Sequence, residues 1–228
     1  MIYITGDTHI PIDIHKLSTS NFGEQKVLTK EDVVIICGDF GCVWDNSKEE
    51  MYWRKWLDNK SFTTLFVDGN HENFPLLYKF DEVDKYGGKV RQIGSSIFHL
   101  KRGEVYTIHG KSFFCMGGAS SHDKNLRIPY RDWWPEEIPS KEELEHAVDV
   151  LDDHEWRVDY IISHCAPKKT QERIADWYEN DPLTSFFQFV DENTIFSHWY
   201  FGHYHVDKDI DEKHTALYQR IIPLSQEV

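Results

Sequence analysis

The sequence predicts an α/β fold, a mixed two-sheet core flanked by helices. Short apolar runs alternate with helix-patterned segments, the usual mark of a layered α/β protein. A group of short strands interrupts that alternation mid-chain, as inserted hairpins would. No repeat, low-complexity tract or Pro/Gly/Ser-rich linker divides the 228 residues, so one domain over 1–228 is expected.

The elements follow in order. Ile2–Thr5 opens the chain as a strand, and Val33–Cys37 is a second, all β-branched residues and cysteine. Ser47–Leu57 has helix-forming composition, and Thr64–Val67 is again strand-like. The runs Val90–Ile93, Ile97–Leu100, Val105–His109 and Phe113–Met116 are separated by Gly-Ser and Lys-Arg-Gly turns and read as antiparallel hairpins. Lys141–His154 is helical, with Ser140 and Glu143 spaced as a capping box at its start. Tyr160–Ser163 and Ile195–Phe201 are further strands, and Ala216–Pro223 is expected to close a sheet as one more.

Bulk properties narrow the function. A net charge of −14 opposes extended contact with a nucleic-acid backbone, which draws on many Lys and Arg side chains. It does not oppose a small phosphorylated substrate at a site whose local charge is set by bound metal. No run approaches the roughly 18 apolar residues of a membrane span, and the N-terminus lacks the regions of a signal peptide. A cytoplasmic protein with no membrane partner is expected. Cys37, Cys42, Cys115 and Cys165 form no CxxC pair, so reduced thiols are expected.

Nearly every strand-like run ends in a metal-competent residue. Ile2–Thr5 leads into Gly6-Asp7-Thr8-His9, Val33–Cys37 into Gly38-Asp39, and Thr64–Asp68 into Gly69-Asn70-His71-Glu72. Tyr160–Ser163 leads into His164, and Ile195–Phe201 into Gly202-His203-Tyr204-His205. Strand ends converge in layered α/β folds, so these segments can meet although far apart in sequence. Asp39 can bridge two cations through its two carboxylate oxygens. The mixed oxygen and nitrogen donor set favours Mn, Fe, Zn, Co or Ni over Ca or Mg.

In order, GDTH, GDF, GNHE, a lone SH and GHYH resemble the calcineurin-like metallophosphoesterase superfamily, whose run is DxH, GD, GNH[DE], H and GHxH. The resemblance implies a four-layered α/β/β/α sandwich and two divalent transition-metal ions, manganese foremost, with Fe, Zn, Co or Ni as alternatives. It assigns Asp7, His9 and His205 to one ion, Asn70, His164 and His203 to the other, and Asp39 to both. Family members use a metal-bridging hydroxide as nucleophile, and His71 takes the place of the acid that protonates the leaving group. The chemistry is sound in itself: two cations roughly 3.5–4 Å apart acidify water and neutralise phosphate oxygens. One departure stands out. Where the phosphoprotein phosphatase branch has GDxxDRG, this chain has Gly38-Asp39-Phe40-Gly41-Cys42. The carboxylate position is a cysteine, which disfavours a protein serine/threonine phosphatase.

Gly117–Arg127 resembles a GGAxSxD…R stretch of bacterial relatives. There Arg127 or Arg131 could clamp a substrate phosphate, and a turn with solvated charges weighs equally. Trp133-Trp134 could stack on an aromatic leaving group, though packing on the core is favoured. His99, His109, His122 and His146 read as structural or surface residues, Lys168-Lys169 as a solvated pair, Cys165 as a buried thiol, and Glu72 as a residue favouring a helix start. The function expected is hydrolysis of small phosphomonoesters or phosphodiesters. The alternatives are a nuclease or DNA-processing phosphodiesterase and a catalytically silent metal-binding scaffold.

Overall fold

The structure, a computed structural model, describes residues 1–224, so residues 225–228 of the expected domain lie outside it. In chain order the strands and helices are β1 (Ile2–Thr5), β2 (Val33–Cys37), α1 (Lys48–Asp58), β3 (Thr63–Val67), α2 (Phe74–Leu77), β4 (Glu82–Lys85), β5 (Gly88–Gln92), β6 (Ile97–Leu100), β7 (Glu104–Ile108) and β8 (Lys111–Met116). There follow α3 (Lys141–Asp153), β9 (Tyr160–Ser163), α4 (Lys168–Glu172), α5 (Pro182–Asn193), β10 (His198–Phe201), β11 (Lys208–Asp209), β12 (His214–Ala216) and β13 (Ile221–Leu224).

The strands form two mixed sheets. The first has seven strands in the order β13-β1-β2-β3-β6-β5-β4, and the second six in the order β11-β12-β10-β9-β8-β7. β1, β2, β3 and β6 run parallel, as do β8, β9, β10 and β12 in the second sheet. Antiparallel strands flank each parallel block.

Alternation along the strands builds the layers. Ile4, Ile35 and Leu65 of the first sheet meet Phe113, Ile162 and Tyr200 of the second in a shared core. The opposite face of the first sheet, with Tyr3, Val34, Ile36 and Phe66, is covered by Ile14, Leu17, Leu57 and Leu77. The outer face of the second sheet, with Phe114, Ile161, Trp199 and Phe201, is covered by α3 and α5 through Ala147, Leu151, Leu183 and Phe187. The result is the expected four-layered sandwich. Central strands covered on both faces carry continuous apolar runs, and β2 is buried at every position.

Local signals place the helices. Ser47 caps α1 by accepting from the Glu50 N–H, and Ser140 and Glu143 form the anticipated capping box on α3. Among the described residues, no helix is long and apolar enough to cross a membrane. Expectation and structure part at the C-terminus. Ala216–Pro223 is not one strand: β12 ends at Ala216 beside β10, and β13 begins at Ile221 beside β1 in the other sheet. Asp207 collects the backbone N–H groups of Tyr218, Gln219 and Arg220 where the chain crosses over.

One buried ionic cluster fastens the loops around the parallel strand ends. Asp68, just beyond β3, accepts from His99 Nε2 at 2.9 Å and from Arg102 Nε and Nη2 at 2.9 and 2.6 Å. Burial would raise the Asp68 carboxyl, but the Arg102 guanidinium and His99 hold it well below its ordinary value. The Asp68 carbonyl also accepts from the Gly118 N–H, and a Cβ on Gly117 would lie 2.5 Å from the Asp68 carboxyl carbon. Breaking a buried pair strands the remaining charge. Asp68→Ala is therefore expected to lower stability by about 3–5 kcal/mol, read from urea denaturation midpoints. A loss below 1 kcal/mol would show that the cluster does not anchor the fold.

Candidate metal centre

The carboxyl ends of β1, β2 and β3 from one sheet and of β9 and β10 from the other converge on one spot. Asp7, Asp39 and Asn70 follow the first three, and His164 and His203 the other two. The turns are tight. Asp39, His9, His203 and His205 have φ of 45°, 33°, 69° and 49°, a region non-glycine residues seldom occupy. Strain of this kind persists only where the surroundings impose it, and it concentrates at functional sites. Glycine makes the approach possible. A Cβ on Gly38 would lie 2.1 Å from His164 Nδ1, and one on Gly202 2.1 Å from Asp7 Oδ1.

The ligand atoms of Asp7, His9, Asp39 and His205 all lie within 4.8 Å of one another. Asp39 stands between two sets of imidazoles. Its Oδ2 is 3.1 Å from His9 Nε2, while its Oδ1 is 3.3 Å from His164 Nε2. On one side the His9 and His205 ring centroids are 4.9 Å apart, and on the other those of His164 and His203 are 5.0 Å apart. Asn70 joins the second set, with Oδ1 3.1 Å from His164 Nε2. Asp7 Oδ2 lies 3.2 Å from His205 Nε2.

Backbone amides support the two carboxylates. The His203 N–H donates to both oxygens of Asp7 at 3.0 and 3.2 Å, and the His71 N–H donates to Asp39 Oδ1 at 2.8 Å. Burial would raise both carboxyls. For Asp7 it is outweighed by His205 and His164, and for Asp39 by His164 and His9, which holds Asp39 well below the ordinary carboxylate value. Both stay ionised and acceptor-only, as a cation site requires.

The imidazoles are not equivalent. Burial and the nearby His164 charge push His203 down to about 3, so its ring is neutral and able to bind metal at neutral pH. Burial would also lower His164, but Asp39 and Asp7 raise it to about 9. Its geometry agrees: Nδ1 faces the Cys37 carbonyl at 2.8 Å and Nε2 faces Asn70 and Asp39 oxygens. A cation entering here must displace the Nε2 proton. Because the folded value lies above the ordinary one, the proton is held through neutral pH and released as pH rises through about 9. Metal uptake at pH 7 is expected to liberate a proton, and affinity to increase with pH toward that value. Calorimetric titrations in two buffers of unlike ionisation enthalpy would test this, since identical heats would mean no proton is released.

Supporting residues that no sequence motif marks set the ring orientations. Asp13 Oδ2 lies 2.8 Å from His9 Nδ1 and so turns Nε2 toward the cluster. Tyr218 donates to the other Asp13 oxygen at 2.9 Å and stacks on His205 at 4.9 Å. The buried Lys16 ammonium donates to the carbonyls of Gly6, Asp7 and Tyr218. Asn70 Nδ2 donates to Ser121 Oγ at 3.1 Å, and Ser121 donates to Glu137 at 2.6 Å, which aims Asn70 Oδ1 at His164.

His71 reaches the cluster, with its ring centroid 5.7 Å from that of His9. Its pKa is lowered, by burial first and then by Arg127, whose guanidinium lies along the ring 3.2 and 3.4 Å from the two ring nitrogens. Arg131 does not join it: its exposed guanidinium pairs with the adjacent Asp132 at 2.8 Å. Glu72 plays a different part from the one expected. Asn73, not Glu72, caps α2, and Glu72 is fully buried with Oε1 accepting the Phe40 N–H at 2.7 Å. Burial and Asp39 raise it well above its ordinary value, and its bond to the Phe40 N–H braces the turn that carries Asp39. Cys42 is buried and its thiol donates to the Glu50 carbonyl. All four cysteines are free and buried, and burial raises the Cys165 thiol well above its ordinary value. Lys169 pairs with Glu192, and Trp134 packs inside, edge-on to Trp44.

The donor set, two ionised carboxylates, an amide oxygen and imidazoles turned inward by outer partners, fits divalent transition metals. A family model described as calcineurin-like phosphoesterase matches residues 1–207. No curated protein matches the sequence.

Proposed function

The chain belongs to the calcineurin-like phosphoesterase family, and from that premise we propose that it hydrolyses small phosphomonoesters or phosphodiesters with two divalent metal ions. Asp7, His9, Asp39 and His205 would hold one ion, and Asp39, Asn70, His164 and His203 the other. The observation that carries this reading is the Asp39 carboxylate, one oxygen facing His9 and the other facing His164. When bound, such a pair supplies Lewis acidity toward phosphate and an activated water at neutral pH. The chain's own residues do the rest. His9, held by Asp13, and Asn70, held by Ser121, keep their donor atoms fixed. His71 stands at the edge of the cluster to give a proton to the departing oxygen, and Arg127 beside it can turn to a phosphate oxygen.

The acidic balance of the chain favours small substrates over polymers. The test is turnover on a panel of phosphoesters after stripping the protein with chelator and reloading it with Mn, Fe, Zn, Co or Ni singly. Activity should vanish on stripping and return with at least one transition metal. A fully loaded protein that turns over no ester would leave the scaffold reading. Efficient cleavage of long DNA without small-ester turnover would favour the nuclease.

A further inference from the structure

Along one flank of the metal centre lies a cavity of about 320 Å³ that shares His9 and His71 with it. The indoles of Trp44 and Trp53, together with Ile10 and Ile12, give it apolar walls. Both indoles are half-buried and backed by other rings. Trp134 stands edge-on to Trp44 at 5.0 Å, and His15 and Trp56 stand against Trp53 at 5.2 and 5.4 Å. The backbone beside Trp44 is tied down as well, because Glu50 Oε2 accepts the N–H groups of Trp44, Asp45 and Asn46 at 2.7–3.0 Å. The cavity is therefore preformed, and a ligand entering it need not order its walls.

Its charge is one-sided. Asp45 and Glu49 also line it and are exposed, whereas Glu50 is occupied by those amides and by Arg54. An uncharged or cationic group gains apolar and aromatic contact here, and an anionic one meets two carboxylates.

We infer that this cavity receives the leaving alcohol of the substrate, and that the alcohols it selects are aromatic or aliphatic groups carrying no negative charge. The inference rests on the phosphoesterase reading and gives its substrate class. In the reaction, the oxygen of water forms a new bond to phosphorus. The bond from phosphorus to the alcohol oxygen breaks, and its electron pair stays on that oxygen and takes a proton from His71. The proton that the attacking water gives up passes to solvent, from which His71 is reprotonated. His71 stands beside His9 of the metal cluster and also lines the cavity, which puts the proton donor at the junction of the two.

The experiment uses the full metal-loaded chain and three phosphate esters of alcohols of similar acidity: 2-phenylethanol, ethanol and 3-hydroxypropionate. Each ester is assayed also as its methyl diester, following release of the named alcohol rather than of methanol, so that a ratio is read whichever class turns over. kcat/KM for the phenylethyl ester should exceed that for the ethyl ester by about tenfold or more, and the 3-hydroxypropionate ester should be poorest. Trp53→Ala should pull the phenylethyl-to-ethyl ratio toward one. Trp53 also packs against the helix layer, so Glu49→Gln serves as a second variant. It should raise the 3-hydroxypropionate-to-ethyl ratio by about two- to fivefold, the range of exposed charge interactions. Equal kcat/KM for phenylethyl and ethyl esters, or ratios unmoved in both folded variants, would overturn the assignment while leaving the phosphoesterase reading intact. Absence of turnover on every ester, with metal bound, would overturn that reading and this one with it.

Discussion

Replacing Asp39 by Asn is expected to remove nearly all turnover and to weaken binding of both metal ions together. Asp39 is buried, with one carboxylate oxygen 3.1 Å from His9 Nε2 and the other 3.3 Å from His164 Nε2. The amide has one acceptor oxygen instead of two, carries no charge, and presents N–H donors to one of the two sets. Residues that merely orient metal ligands typically cost about 10–100-fold in affinity or activity when replaced. Loss of a shared ligand should exceed that range. The backbone contacts that shape the turn, His9 and Thr8 N–H to the Asp39 carbonyl, remain, so the fold survives. Metal content by mass spectrometry, circular dichroism and initial rates on the same preparation decide the matter. Two bound metals with near-normal rates in the variant would refute the bridging assignment.

His71→Gln is expected to keep both metals yet lose about 10²–10⁴-fold in rate on esters of ordinary alcohols, the span typical of general acid catalysis. The loss should shrink toward nothing for p-nitrophenyl esters, whose leaving group needs little protonation. Only the His71 backbone N–H touches Asp39, and the substitution preserves it, which separates metal binding from proton donation. Burial and Arg127 lower the His71 pKa. Its protonated form is therefore scarcer than that of an ordinary imidazole at neutral pH, and the slow-leaving esters should lose rate first as pH rises. An equal loss on both kinds of ester would exclude a leaving-group role.

The layers and the cluster-forming residues were legible in the sequence because both leave periodic or positional marks. A run such as Val33–Cys37 is apolar throughout since it is covered on both faces, and each is followed by a polar residue of restricted type. The supporting residues left no such mark. Asp13, Ser121 and Glu137 are single polar side chains in irregular segments, brought to His9 and Asn70 by tertiary folding alone. Glu72 illustrates the ambiguity: an acid before a helix reads as a dipole partner, and only the packing reveals it beneath Phe40. The split of Ala216–Pro223 between two sheets was hidden because apolar content does not report which sheet a strand joins. α5 did carry a signal, Asp181 as cap, Pro182 in the first turn and Leu183, Phe187 and Val190 on one face. Arg127 and Arg131 were indistinguishable by type and spacing, and only the conformation of their loop separates one at His71 from one paired with Asp132.

The metal centre draws on both ends of the chain, with Asp7 after the first strand and His205 past the tenth. At about 5–20 residues per second, a ribosome needs roughly 10–40 s to travel from position 7 to position 205. The first half of the donor set is thus made long before the second exists, and β9 and β10 must dock before either imidazole pair is complete. A metal can therefore meet the whole donor set only after residue 205 has been made and β10 has docked. A nascent chain stalled before β9 should bind transition metals no better than its Asp7–Asn70 segment allows, however much metal surrounds it. Tight binding should appear only once residues through His205 have emerged and the second sheet has closed.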